Sequence, residues 1–90
     1  PKQEIGSIVD LMLEALRRRL ADKQLKLAVT DAAKAAIIDG GYDPIYGARP
    51  LKRYIQANVE TMIAKEIIAG AHAAGDTLTV DAEGGSLVLR

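Results

Sequence analysis

The period of the apolar positions switches between helix and strand along the chain, and each switch predicts an element. Over residues 5–21, Ile5, Ile8, Val9, Met12, Leu16 and Leu20 recur at i, i+3, i+4 spacing, the stripe of an amphipathic helix. Leu13 falls at the edge of that stripe. Leu11 falls well off it, as a lone exposed apolar residue or as a contact to another domain. Leu25, Leu27 and Val29 then alternate with Lys26, Ala28 and Thr30, the pattern of a half-buried strand. Thr30 or Asp31 offers an N-cap for a short Ala-rich helix over Asp31–Asp39, anchored by Ile37 and Ile38. Gly40-Gly41 predicts its end, with one glycine in the left-handed conformation.

A compact loop spans residues 41–49. Pro50 suits the first turn of a helix, where its missing N–H would be unpaired anyway. From Pro50 to Ala69, Leu51, Ile55, Val59, Met62, Ile63 and Ile67 keep helical spacing, predicting a rod of about 30 Å. Gly70 predicts its stop, and residues 71–75 a flexible connector. Leu78, Val80 and Ala82 alternate with Thr77, Thr79 and Asp81, and Ser86–Arg90 returns through Glu83-Gly84-Gly85, a hairpin. A lone hairpin is barely stable, so it should pair with the 25–30 strand into a three-stranded sheet. The order α-β-α-α-β-β predicts an α+β fold, three main helices packed on a small three-stranded sheet.

Length and composition bound what such a fold can do. Ninety residues correspond to one small domain, 1–90. The bulky core material is ten Leu, nine Ile, five Val and two Met, with no Phe or Trp, so the core is thin and gains from a neighbour. The chain opens on Pro1, with helical periodicity close behind, and reads as a C-terminal domain cut from a longer protein. Twelve basic residues balance twelve acidic ones, which argues against a polybasic membrane anchor or a nonspecific nucleic-acid coat. No apolar run approaches a membrane span and no signal-peptide pattern opens the chain, so the expectation is a soluble, intracellular domain, cytoplasmic or, as the alternative, in an organelle lumen.

Catalytic chemistry is hard to build from these residues. Without Cys and with a single His, the sequence has no Cys- or His-rich metal site. A nucleophilic arrangement would need Ser7 or Ser86 with His72, and His72 reads as a solvated histidine in an Ala-rich connector with nothing to orient it. No Gly-x4-Gly-Lys-Ser/Thr string is present, so any ATP contact would be auxiliary to a P-loop elsewhere. The basic run Arg17–Arg19, beside Glu14 and Asp22, reads as a solvated helix end in preference to a binding patch.

Gly47–Arg53 is different. Arg49, Lys52 and Arg53 put three cations at the start of a helix whose N-terminal end is already positive. Each such placement costs a few tenths to about 1 kcal/mol unless an anion is near. Asp43 could compensate from within, or a phosphate from outside, and the two readings stand level. A nucleic-acid-binding module built on the two basic clusters is the reading from another class, weakened by zero net charge and only Tyr as aromatics.

The string from Gly41 through Tyr42-Asp43-Pro44-Ile45-Tyr46-Gly47-Ala48-Arg49-Pro50-Leu51-Lys52-Arg53-Tyr54-Ile55 to Gln56 resembles the C-terminal small domain of the Clp-family AAA+ unfoldases. It is most similar to that of the second ATPase module of ClpB-type disaggregases. Ile8-Val9-Asp10-Leu11, Arg19-Leu20-Ala21-Asp22, Thr30-Asp31-Ala32 and the closing hairpin extend the likeness over nearly the whole chain.

The resemblance implies that Gly47-Ala48-Arg49 is a sensor-2 motif. Arg49 would reach the β- and γ-phosphates of ATP held by the P-loop of a preceding large domain, which would also hold Mg²⁺. Gly47 and Ala48 would lie near adenine and ribose, Ile8 would contact adenine, and Lys52 and Arg53 would be surface cations beside the site. It implies a lid domain, not an enzyme alone, hinged to its large domain in a homohexamer that threads protein substrates, with a partner chaperone in the full-length protein. Neither nucleic acid nor membrane is implied as a partner. The same domain of a protease-coupled Clp unfoldase is the alternative within the family.

Overall fold

The computed structural model describes residues 2–70 and 72–90. The first amphipathic stretch forms α1 (Lys2–Ala21). Its buried line is Ile5, Val9, Leu13, Leu16 and Leu20, spacings of three or four residues that follow the 3.6-residue turn. Leu13 thus belongs to the core. Ile8 and Met12, which the spacing placed on the stripe, flank it: Ile8 is 36% exposed and Met12 half-buried. Spacing of i, i+3, i+4 admits two adjacent lines, and the one that meets α2 and β1 is buried. Leu11 is exposed.

The strand β1 (Lys26–Val29) leads into α2 (Asp31–Gly41). Thr30 caps the helix, its hydroxyl accepting the Ala33 N–H at 3.1 Å. The helix runs through Gly40 and Gly41, and neither glycine is left-handed; Tyr42, at φ −95° and ψ 135°, ends it. The glycines serve close approach instead. A Cβ on Gly41 would stand 2.5 Å from Leu51 Cδ2 and 3.1 Å from Leu51 Cα, and one on Gly40 would stand 2.3 Å from the Tyr54 ring. The end of α2 therefore lies directly on the start of the next helix.

That helix is α3 (Leu51–Tyr54), a π-helical segment (Ile55–Glu60) and α4 (Thr61–Ala69) in succession. Its buried residues Leu51, Ile55, Val59 and Ile63 recur every fourth position. In an α-helix four residues overshoot a full turn by about 40°, so this line would wind about 120° away from the core by its fourth member. The wider i→i+5 turns offset the drift. The Thr61 N–H and hydroxyl both reach the Gln56 carbonyl, the hydroxyl at 3.1 Å, and Asn58 Nδ2 donates to the Tyr54 carbonyl at 2.9 Å. The uniform helix expected over 50–69 thus carries six π residues. Gly70 ends it in the left-handed conformation, φ 70°.

A mixed sheet completes the fold. β2 (Thr77–Glu83) is central, parallel to β1 and antiparallel to β3 (Ser86–Leu89). Gly84 and Gly85, at φ 57° and 82°, make the two-residue turn that matches strand twist. The helices α1 and α2 make the main contacts to the sheet, and the third helix packs chiefly on α2. Leu27, Leu78 and Val80 meet the buried helix residues, including Ala33 and Ile37, in one core. Two of the three arginines in Arg17–Arg19 tie elements together. Arg17 Nε donates to the Leu27 carbonyl of edge strand β1 at 3.1 Å, and Arg19 pairs with Glu60 at 2.8 Å.

One polar network joins α2 to the sheet. The Thr30 hydroxyl donates to Asp81 Oδ1 at 2.7 Å, the Ala82 N–H donates to the same oxygen at 2.8 Å, and Arg90 Nε donates to Asp81 Oδ2 at 2.8 Å while its Nη2 pairs with Glu83. The Thr30 hydroxyl, then the Ala82 N–H, then the Arg90 guanidinium hold the Asp81 carboxyl below its ordinary value.

Asp81 therefore stabilises the fold above the unfolded carboxyl value near ~4, and this contribution disappears as pH falls through the lower folded value. Denaturant unfolding of the wild type and Asp81→Asn should show a steady stability gap from neutral to mildly acidic pH that narrows below about pH 4. A gap independent of pH would contradict the network's role. Gly41→Ala should destabilise by about 1–3 kcal/mol through overpacking against Leu51, read as a lowered thermal midpoint.

Candidate functional site

The loop between α2 and α3 is built around Asp43. Its Oδ1 accepts the N–H groups of Ile45 and Tyr46 at 2.7 and 3.0 Å, an Asx turn. Its backbone exchanges hydrogen bonds with Gly47, N–H to O at 2.9 Å one way and 2.6 Å the other. Gly47 completes the reversal at φ 63°, and a Cβ there would meet nothing within 4 Å. Glycine is needed at this point for backbone conformation alone. Asp43 is thus engaged with its own loop, and among the described residues it forms no ion pair with Arg49. Of the two readings open for the cations, the internal pair is not the one adopted.

The reversal delivers the chain to the third helix through two further bonds, Arg49 N–H to the Tyr46 carbonyl at 3.2 Å and Leu51 N–H to the Ala48 carbonyl at 3.0 Å. Tyr46, Arg49, Pro50, Lys52, Arg53 and Gln56 line an open groove of about 530 Å³. The Arg49 guanidinium carbon lies 5.7 Å from the centre of the Tyr46 ring, within cation–π range. Arg49, Lys52 and Arg53 have no carboxylate partner among the described residues, whereas Arg17, Arg19, Lys34 and Arg90 each find one. Three uncompensated cations at a helix start make the groove a place where a phosphate-bearing anion is favoured. The residues fit such a group: forked donors face open space, and Gly47 puts no side chain in the way.

The structure brings Arg49 into the groove with Gly47 and Ala48 in the adjoining turn, Ala48 half-buried against the core. Ile8 is elsewhere on α1, outside the residues that line the groove. Tyr46 and Gln56 join the lining without having stood out in the sequence, where the Tyr-x-x-Arg spacing across a turn was the available signal. Lys52 and Gln56 also line a second cleft with Met12, Ala15 and Arg19, which carries the surface across to α1.

His72 departs from its expected solvated state. It is half-buried, Nε2 lies 3.0 Å from Glu66 Oε1, and Nδ1 lies 3.9 Å from Asp76 Oδ2. The Glu66 contact orients the ring and links α4 to the connector before β2. Among the described residues no group of His, Cys, Asp or Glu is placed to hold a metal ion, and no helix is long and apolar enough to cross a membrane.

Three helices on a mixed three-stranded sheet, with a cationic loop opening the third helix, define a small C-terminal domain of the AAA+ type. Residues 1–80 match the family model described as the C-terminal, D2-small domain, of ClpB protein, and the chain belongs to that family. It is similar to the "Chaperone protein ClpB" of Bacillus cereus (strain ATCC 14579), 48% identical over 86 residues, 96% of this chain and 10% of the relative. The "Chaperone protein ClpB" of Corynebacterium glutamicum is 48% identical over 84 residues, 92% of this chain and 10% of the relative. That of Nitratidesulfovibrio vulgaris is 44% identical over 87 residues, 97% and 10% respectively. The chain thus spans about a tenth of the length of the curated relatives it matches.

Because only backbone conformation requires glycine at position 47, Gly47→Val should cost about 1–2 kcal/mol and Gly47→Asn clearly less. Thermal denaturation of the two variants checks the order. Equal losses would mean that space, not φ, decides the position.

Proposed function

We propose that this chain is the lid of an ATP-dependent protein-remodelling chaperone, and that it reads the phosphates of bound nucleotide through Arg49. The observation that carries the reading is the cluster of three cations without carboxylate partners at the start of the third helix, beside a turn open to close approach. Membership of the ClpB D2-small family supports it. In this reading the P-loop and Mg²⁺ belong to a large domain of the longer protein, and the chain contributes to an ATPase without being one.

Arg49 supplies a forked, permanently charged donor for the β- and γ-phosphate oxygens. Gly47 and Ala48 lie towards adenine and ribose, and Ile8 offers an apolar surface to the base from α1. A contact made with ATP and weakened with ADP favours one lid angle over another, so the nucleotide state shifts the position of a rigid body. The core that joins the third helix to α2 and the sheet lets the lid move as a unit. Within a homohexamer, that motion passes to the neighbouring subunit and on to a threaded polypeptide in the cytoplasm. The relatives are named as ClpB chaperones, which favours disaggregation over a protease-coupled role.

In the full-length protein, Arg49→Ala should lower ATP turnover roughly 10- to 100-fold, the loss of a charge-assisted hydrogen bond worth about 1.5–3 kcal/mol. Its circular dichroism spectrum should match the wild type, because Arg49 is exposed and outside the core. Arg49→Lys, which keeps charge and loses the fork, should fall between the two. Wild-type turnover in Arg49→Ala would refute the assignment.

A further inference from the structure

We infer that Tyr46 is a positioning residue for Arg49, its ring holding the guanidinium in the phosphate-facing groove. This inference rests on the proposed nucleotide reading and adds to it the residue that orders its arginine. Tyr46 is 59% exposed and is not among the residues packed against the core, unlike Tyr54. Its hydroxyl has no hydrogen-bond partner among the described residues, so neither packing nor the phenol accounts for the placement of the ring.

The backbone beneath it is fixed on three sides. The Tyr46 N–H is held by Asp43 Oδ1 at 3.0 Å, its carbonyl accepts the Arg49 N–H at 3.2 Å, and the Asp43–Gly47 pair closes the turn around it. Ring and guanidinium therefore leave one rigid turn three residues apart and meet at 5.7 Å. Arg49 has no carboxylate to order its long side chain, so the ring is the group that restricts it. A π-face suits a cation that must stay available. It attracts the guanidinium without consuming the N–H donors in the way a carboxylate would, leaving them for an anion.

An exposed cation–π contact of about 0.5–1 kcal/mol corresponds to a two- to fivefold change at 1.4 kcal/mol per tenfold. In the full-length protein, steady-state ATP hydrolysis should show Tyr46→Leu lowering turnover two- to fivefold, the same parameter that Arg49→Ala lowers further. Tyr46→Phe, which keeps the ring, should restore the wild-type value. In an Arg49→Ala background Tyr46→Leu should have no further effect, because nothing remains to be positioned. An impaired Arg49→Ala beside a wild-type Tyr46→Leu overturns this inference and leaves the nucleotide reading standing. A Tyr46→Leu defect that persists undiminished in the Arg49→Ala background also overturns it, because the ring would then act independently of Arg49. A silent Arg49→Ala overturns the nucleotide reading and this inference together.

Discussion

The third helix starts where it does because the end of α2 has no side chains. Gly40 and Gly41 let the backbone of α2 come against Leu51 and Tyr54, closer than any Cβ would allow. Leu51 is fully buried at that junction. The loop of residues 42–50 is consequently fixed at both ends by elements in direct contact, and its own Asp43–Gly47 bridge fixes the middle. A loop pinned in this way can present an exposed arginine at a defined place without burying it. The π-helical segment belongs to the same constraint, since a helix that begins on Leu51 must keep Ile55, Val59 and Ile63 facing the core at four-residue intervals.

Charge is distributed to match. The chain is neutral overall, and four of its twelve cations hold elements together: Arg17 on the edge of β1, Arg19 on the π segment, Lys34 on Asp10, Arg90 on Asp81 and Glu83. Arg49, Lys52 and Arg53 instead cluster around one groove, at a helix start where each is electrostatically unfavourable on its own. Local departures of this kind, placed on a rigid support, are what a state-dependent contact to an anion requires.

Much of this was legible from the residues. The element order, the Thr30 cap, the Gly70 stop and the hairpin follow from periodicity and turn chemistry, which act over a few neighbouring positions. What escaped depends on long-range contact. Leu13 and Ile8 exchange places between core and flank because α2 and β1, not the periodicity of α1, choose the buried line. The Gly40-Gly41 pair has the composition of a helix terminator and works as a packing surface, a difference visible only once Leu51 is placed against it. His72 gains its hydrogen-bond partner Glu66 from α4, six residues back along the chain. At the site, the cationic cluster could be read directly. The fate of Asp43 and the approach of Tyr46 to Arg49 required the turn geometry.

In the proposed lid, Arg49 distinguishes nucleotide states by the terminal phosphate. Equilibrium affinities for ATP and ADP, measured on the full-length protein and on Arg49→Ala, test it most directly. The variant is expected to lose much of any preference for ATP while ADP affinity changes less, because only the contact to the departing phosphate has been removed. An ATP-to-ADP affinity ratio unchanged by the substitution would contradict it.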